Sequence, residues 1–161
     1  MIIPEIKNLS AKYLIGNHIE MCMASNRTIE LWKNFMPRRK EIKNSIGVDL
    51  FSVQIYDTKF NFLHFDINAS FEKWAAVEVA DFTNVPVGMQ TLILPQGLYA
   101  VFLYKGAAEE GEKTFRYIFE AWIPNSIYQL DNRPHFEILG SKFKHNDPDS
   151  EEEIWIPVKH K

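Results

Sequence analysis

Residues 31–37 read LWKNFMP and residues 118–124 read IFEAWIP, and the likeness between these two stretches decides the fold. Position by position, both read as apolar, aromatic, charged, small or polar, aromatic, apolar and proline. Apolar residues at this spacing predict the buried stripe of a helix, and proline disturbs or ends a helix because it has no N–H to donate. The helical stretch therefore occurs twice, which indicates an internal duplication.

Strand patterns surround the two helical stretches in the same order. In the first half, residues 11–23 predict a strand with a bend at Gly16, after which Asn26 or Thr28 caps the helix. Further stretches rich in β-branched and aromatic residues predict strands at 48–56, 71–79, 89–104, 135–139 and 151–158. Each half therefore reads as strand, helix, strand, strand, with helices expected near residues 28–41 and 112–123.

A sheet built from one such module would be short and would have bare edges, so the two modules are expected to pair their sheets. The sequence thus predicts an α+β fold in which two strand–helix–strand–strand modules are related by a pseudo-twofold axis. Its antiparallel sheet should carry both helices on one side and a ligand cleft on the other. We expect a single domain over residues 1–161, duplicated at about 1–85 and 86–161, because no Pro/Gly/Ser-rich stretch divides the chain.

Composition and charge exclude several classes of function. The 161 residues include 18 Lys and Arg against 21 Asp and Glu, a net charge of −3, so no basic field is available for direct nucleic-acid binding. Cys22 is the single cysteine and can form no internal disulfide. The start of the chain has neither the apolar segment of a signal peptide nor a membrane span. These features predict a cytoplasmic protein without membrane contact.

Glu137 stands inside an apolar stretch, PHFEILG. Phe136 and Ile138 favour a half-buried strand, where carboxylates are depleted and rarely lie buried without a partner. The glutamate is either on the solvated face of the strand or a compensated buried charge, and the sequence leaves both interpretations open. Strand alternation puts His135, Glu137 and Leu139 on one face. If that face lines the cleft, Phe136 and Ile138 pack beneath the helices.

Beyond these patterns, the chain resembles a known family. The order LPQGLYAVFLYKG, a helix ending in YIFEAWIPNSIYQL, then RPHFEIL and EEEIWIPVK, is similar to the GyrI-like family, also called the AraC-type effector-binding domain. The resemblance covers most of the chain and is strongest over residues 95–159. It implies two modules around a central cleft that binds lipophilic, often cationic small molecules. Family members are sensor domains fused to a DNA-binding helix-turn-helix or stand-alone proteins, and this chain is expected to be a stand-alone member.

The resemblance also implies a set of site residues. Glu137 becomes the acidic residue at the floor of the cleft, with Trp155 as one aromatic wall and Trp74, on the repeat-equivalent strand, as the second, unless both tryptophans are ordinary core residues. The expected ligand-binding residues are completed by Tyr56, Leu139 and Phe115. Alternation assigns a second set to the helix-covered core, namely Ala75, Val77, Val79, Ile154, Ile156 and Val158.

The expected chemistry is the capture of a lipophilic cation. A carboxylate under an apolar roof loses hydration and its pKa rises, so it either protonates or waits for a positive ligand. Aromatic faces add cation–π attraction of roughly 0.5–2 kcal/mol each. The sequence therefore predicts a non-enzymatic protein that captures or senses cationic aromatic compounds and uses no metal or other cofactor.

Two other functions remain open. The resemblance includes hydrolases that open strained cyclopropane rings of DNA-alkylating compounds, in which the same glutamate could act as a general base. It also includes a stand-alone inhibitor of DNA gyrase, which acts through a protein partner. Binding is favoured because the sequence pairs no second acid or histidine clearly with Glu137. The natural ligand, any protein partner and the oligomeric state are left open.

Overall fold

The computed structural model describes residues 2–107, 110–145 and 147–161. The first helix, α1 (Thr28–Phe35), continues into a 3-10 helix (Met36–Glu41). Helix α2 (Gly111–Tyr117) continues through a π-helical segment (Ile118–Trp122) into α3 (Ile123–Asn125), and we call residues 111–125 the second helical segment. The elements, in chain order, are β1 Glu5–Leu9, β2 Lys12–Met21, α1 Thr28–Phe35, the 3-10 helix Met36–Glu41, β3 Leu50–Ile55, β4 Phe71–Val79, β5 Gln90–Leu94, β6 Gly97–Lys105, α2 Gly111–Tyr117, the π-helical segment Ile118–Trp122, α3 Ile123–Asn125, β7 Tyr128–Leu130, β8 His135–Leu139 and β9 Glu151–His160.

The strands form a curled antiparallel sheet in the order β1-β6-β9-β8-β3-β4-β2-β5, and β7 pairs with the C-terminal part of β9. Each half supplies three neighbouring strands, β2-β4-β3 and β6-β9-β8, and the pairing of β3 with β8 joins the halves. The α+β class and the antiparallel sheet are therefore confirmed. The strand order is the same in the two halves, whereas the pseudo-twofold axis stays a prediction.

Both helical regions lie on one face of the sheet, as the sequence predicts. Leu31 and Phe35 of α1 pack against Ala75 of β4, and Ile118 of the second helical segment packs against Ile154 of β9. Successive cross-strand pairs through β3 and β8 connect Ala75 to Ile154. Because directly paired residues of antiparallel strands point to the same side, both helical regions cover the same face.

Proline sets where the first helix changes. Helix α1 ends at Phe35 and the chain tightens into a 3-10 helix that contains Pro37 in its first turn. This is consistent with the missing N–H of proline, which removes a helical hydrogen bond. Among the described residues, no helix combines the length and the apolar character needed to cross a membrane.

The opposite face of the sheet, inside the curl, holds a separate apolar core. Trp74 and Trp155 are only 3% and 7% exposed there, and they pack in one cluster with Phe136 and Tyr99. Phe136 stacks on Trp155 with 5.2 Å between the ring centroids. The structure thus corrects the predicted role of the two tryptophans, which are packed core residues and not the walls of a cleft.

Gly16 marks a close approach of two strands rather than the expected bend. Strand β2 continues unbroken through this position, where Gly16 pairs with Ala76 of β4 and with Gln90 of β5. A Cβ atom at Gly16 would collide with the backbone oxygen of Ala75 and with Ala76. The absence of a side chain is therefore what allows β2 and β4 to pair here.

We expect Gly16→Ala to lower the free energy of unfolding by about 1–3 kcal/mol or more, because the added methyl group must push the backbone of β4 away. Gly111→Ala is the matched control, since the nearest atom lies 3.8 Å from its added Cβ and the residue begins helix α2. Urea denaturation of both variants measures the difference. Equal stabilities would contradict the tight pairing described for Gly16.

Candidate ligand-binding site

A group of polar side chains lies on the helix-covered face where the two halves meet. The β3–β8 pairing sets Ser52 opposite Glu137 and Gln54 opposite His135, and Lys73 of β4 lies beside Gln54. Apart from the half-buried Glu137, these residues are only 5–8% exposed. Polar groups are costly to bury without partners, so their concentration at this junction calls for compensation.

Glu137 is held by a neutral donor and is influenced by a nearby cation. The Gln54 side-chain amide donates from Nε2 to Oε1 of Glu137 at 3.2 Å. Burial raises the pKa of Glu137, and the charge of Lys73 and the Gln54 hydrogen bond offset part of that rise. Glu137 is thus a compensated, half-buried charge and does not lie on a solvated strand face.

Glu152 is a second carboxylate near Glu137. It lies on β9 opposite Tyr104, two residues before Ile154, which pairs with Glu137. Burial and then the charge of Glu137 raise the pKa of Glu152 to about 7, while Lys73 acts in the opposite direction. Burial lowers the pKa of Lys73, and the charges of Glu137 and Glu152 oppose that shift. We call Lys73, Glu137 and Glu152 the charge cluster.

Aromatic rings lie next to the charge cluster. Tyr56 meets both Phe62 and His135 edge-on, with 4.9 Å between ring centroids in each pair. Phe62, from the β3–β4 connection, stacks on His135 at 5.1 Å and on Phe119 at 4.7 Å. Since His135 is two residues from Glu137 on the same strand face, these rings stand beside the carboxylate.

The titratable aromatic groups beside the cluster are uncharged at neutral pH. Burial, and then the charge of Glu137, raises the pKa of Tyr56, so its phenol keeps its proton. Burial, and then the charge of Arg133, lowers the pKa of His135 to about 3, so its imidazole is neutral. The local charge is therefore governed by the two carboxylates and the ammonium of the charge cluster.

Four of the six expected ligand-binding residues lie on the helix-covered face. Glu137 and Tyr56 are close enough for the carboxylate charge to shift the pKa of the phenol. Leu139 lies on the same strand face, at the end of β8 opposite Leu50. Phe115 packs from α2 against the apolar core under the second helical segment. The structure therefore brings Glu137 and Tyr56 together, with Leu139 and Phe115 on the same side of the sheet.

Trp74 and Trp155 lie on the opposite face, and their predicted position beside Glu137 is wrong. Trp155 pairs with Phe136 and Trp74 pairs with Val53, so both tryptophans share a face with Phe136. Neighbouring residues of a strand point to opposite sides, and a register that differs by one residue reverses every side chain. The faces predicted within β4 and within β9 are right, whereas the face predicted for β8 is reversed: Glu137 lies on the helix-covered side, and Phe136 and Ile138 pack in the opposite core.

The two tryptophans have their own hydrogen bonds inside the curl. The indole of Trp74 donates to Glu72, and the indole of Trp155 donates to Glu153 at 2.9 Å. His18 also stacks on Trp74 with 4.5 Å between centroids. Burial with a satisfied indole N–H indicates a structural role for both residues.

Sequence reasoning missed several residues of this site, among them Gln54, Lys73, Glu152, Phe62 and Phe119. The pattern indicates two of them. Lys73 lies two residues from the expected core residue Ala75, and Glu152 lies two residues from Ile154, so each charge shares a strand face with a core residue. A charge on the core face of a strand is the same anomaly that singles out the glutamate of PHFEILG. No comparable signal marks Phe62, whose contacts depend on the path of a long connection.

The site combines the features that recognise an organic cation. Two carboxyl groups lie near one amine, so the cluster carries an excess of negative charge when all three groups are ionised. Tyr56, Phe62 and Phe119 provide aromatic surface for cation–π contact. In the part of the chain that the structure describes, no three or more His, Cys, Asp or Glu side chains are arranged to hold a metal ion.

The curled sheet, its two helical regions and a half-buried carboxylate among aromatic rings define the class of small-molecule-binding domains. The model of the GyrI-like small molecule binding domain family matches residues 4–159. The chain belongs to this family, which confirms the resemblance seen in its sequence.

Individual relatives share the fold at low identity. The transcriptional regulator BrlR of Pseudomonas aeruginosa is 26% identical over 130 residues, which is 80% of this chain but only 45% of BrlR. The structure of SAV2435 bound to tetraphenylphosphonium has a TM-score of 0.71 at 16% identity, covering 97% of this chain and 93% of that one. A hydrolase from Listeria innocua has a TM-score of 0.62 at 12% identity, covering 98% and 92%.

Glu152 gives stability a pH dependence of definite sign. Its pKa rises from 4.5 to about 7 in the folded protein, so the folded state keeps a proton that the unfolded chain releases. The free energy of unfolding should therefore fall between pH 4.5 and pH 7, by up to about 3 kcal/mol. Urea denaturation across this range measures the slope, which Glu152→Gln should make shallower. The same slope in wild type and variant would contradict the burial of Glu152.

Proposed function

We propose that this chain binds lipophilic aromatic cations on the helix-covered face, with Glu137 as the anionic contact. Tyr56, Phe62 and Phe119 would provide the aromatic surface, and Leu139 and Phe115 the flanking apolar surface. The observation that carries the proposal is that the strand pairing brings two acidic side chains and one amine together in the half-buried charge cluster. A site with unbalanced negative charge and little solvation gains from a positive ligand.

The physical argument favours a soft cation over a small amine. A cation whose charge is spread over aromatic rings is weakly hydrated, so it loses little on leaving water. It gains roughly 0.5–2 kcal/mol from each aromatic face and about 25 cal/mol from each Å² of apolar surface that becomes buried. A small amine would keep its water and gain little from the rings.

The relatives support the same ligand class and a sensing role. SAV2435 was solved with tetraphenylphosphonium, a cation enclosed by phenyl rings, and BrlR is a transcriptional regulator. We therefore propose that the chain captures or senses such compounds in the cytoplasm, without direct contact to nucleic acid or membrane. Any signal would pass to another protein.

Replacement of Glu137 by Gln tests the proposal, because Gln keeps the shape and removes the charge. The affinity for tetraphenylphosphonium should fall by roughly 1.5–3 kcal/mol, the range for a hydrogen-bonded charge. The affinity for triphenylphosphine oxide, a neutral compound of similar shape, should hardly change. Titration calorimetry at pH 8, above the pKa of Glu152, measures both affinities.

Two control variants separate charge from general disturbance. Glu120→Gln removes an exposed carboxylate of the π-helical segment, and Trp155→Phe alters the core on the opposite face. Both should leave the two affinities unchanged. Equal losses for the cation and the neutral compound in Glu137→Gln would mean that Glu137 only shapes the site, and no loss at all would remove it from the site.

Hydrolysis of strained cyclopropane compounds is the second candidate function. One observation favours it, since Glu152 stands as a second acid near Glu137 and its pKa of about 7 suits proton transfer near neutral pH. The hydrolase from Listeria innocua shares the fold.

Incubation with a cyclopropane-containing DNA-alkylating compound, followed by mass spectrometry, tests whether the protein opens the ring. Ring opening that is lost in both Glu137→Gln and Glu152→Gln would establish hydrolysis, and no ring opening would reject it. For a gyrase-inhibitor-like role, the described residues offer no specific feature.

A further inference from the structure

Lys73 is the unexpected member of the charge cluster. It lies on the apolar, helix-covered face of β4 in line with Ala75, and it is 8% exposed. Among the described residues, its ammonium comes within 4.0 Å of no carboxylate oxygen and makes no side-chain hydrogen bond. Lys73 therefore acts on Glu137 and Glu152 through its charge and not through a direct contact.

The strand order places Lys73, Glu137 and Glu152 close to the junction of β3 and β8. Lys73 of β4 and Glu152 of β9 flank the central strands β3 and β8, and Glu137 of β8 lies between them. The charge of Glu137 raises the pKa of Glu152, and the charge of Lys73 lowers the pKa of both carboxyl groups. A ligand that contacts Glu137 therefore meets the charge of all three groups.

The net charge of this cluster does not depend on which group holds the proton. Two acids and one amine that share a single proton carry a total of −1, whether the proton is on Lys73 or on either carboxylate. Among the described residues that face the cluster, Gln54 is an amide, and the phenols of Tyr56 and Tyr104, with raised pKa, stay protonated. Arg133, whose charge helps to lower the pKa of His135, is paired with Asp131 at 2.9 Å, and the His135 imidazole is neutral.

We infer that Lys73 sets the charge class of the ligand: it neutralises one of the two carboxylates, so that the native site accepts a cation of single charge. This inference rests on the proposed function and goes further by naming the charge of the ligand. A dication would bring one charge with no counter-charge into a poorly solvated place, which is unfavourable. Without the Lys73 ammonium, the same site would present two carboxylates and favour a dication.

Three probes of nearly identical shape separate charge from size. Methylbiphenyl is neutral, N-methyl-phenylpyridinium carries one positive charge and methyl viologen carries two, and all three are two linked six-membered rings. Their affinities are measured by calorimetry at pH 8 for wild type and for Lys73→Met, which keeps an unbranched chain without the charge. The ratio of dication affinity to monocation affinity should rise about tenfold or more in Lys73→Met. The affinity for methylbiphenyl should stay the same.

A charge-balanced pair of variants distinguishes this role from a structural one. Glu152→Gln leaves one carboxylate against Lys73, so the affinity for the monocation should fall about tenfold even though Glu137 is intact. Combining Lys73→Met with Glu152→Gln restores a total charge of −1 and should recover both the monocation affinity and the native preference. A structural role for Lys73 would instead make the double variant weaker than either single variant. The double variant also removes the Glu152 charge, whose repulsion with Glu137 could unfold Lys73→Met alone.

The outcomes separate the inference from the proposed function. If wild type binds the monocation no better than methylbiphenyl, the proposed function fails and the inference fails with it. If wild type prefers the monocation but the ratio of affinities is unchanged in Lys73→Met, only the inference is overturned. A raised ratio in Lys73→Met together with recovery in the double variant supports the inference.

Discussion

The antiparallel pairing of β3 with β8 is the constraint on which the rest of the structure depends. It joins the two half-sheets and removes the edge that each would otherwise expose. The same register sets Ser52 opposite Glu137 and fixes the side on which the carboxylate emerges. A shift of one residue would turn Glu137 into the inner core and Phe136 towards the helices. The site is thus a property of the junction and belongs to neither half alone.

The distribution of apolar cores explains why a charge cluster can exist at this junction. Helix α1 packs over β2 and β4, and the second helical segment packs over β6 and β9, with a separate core under each. The helix-side residues of the central strands lie between these cores, where Ser52, Gln54, His135 and Glu137 replace the apolar residues of the outer strands. These polar groups are therefore poorly solvated, although they belong to neither apolar core. The lowered pKa of His135 and the raised pKa of Glu137 follow from that position.

How far the sequence predicts this protein can be judged from individual strands. The duplication, the two helical stretches and the faces within β4 and β9 follow from local pattern, because alternation and helical spacing are local properties. The side on which Glu137 meets its neighbours does not follow, because it depends on the register between β8 and β9, which are separated by a long connection. Alternation alone therefore predicts Trp74 and Trp155 beside Glu137, whereas in the structure Phe136 shares their face.

The two halves repeat their inner core but differ at the site, and this difference has a physical meaning. Trp74 pairs with Val53 as Trp155 pairs with Phe136, and each indole donates to the glutamate two residues earlier. One step along these strands, the pair Gln54 and Lys73 takes the place that Glu137 and Ile154 hold in the other half. A strictly repeated pair would bury either two acids or two lysines, with no partner of opposite charge. The divergence of the halves instead puts an acid and its counter-charge on opposite sides of one junction. The two halves can therefore keep the same strand order while acidic side chains and an amine meet where the halves join.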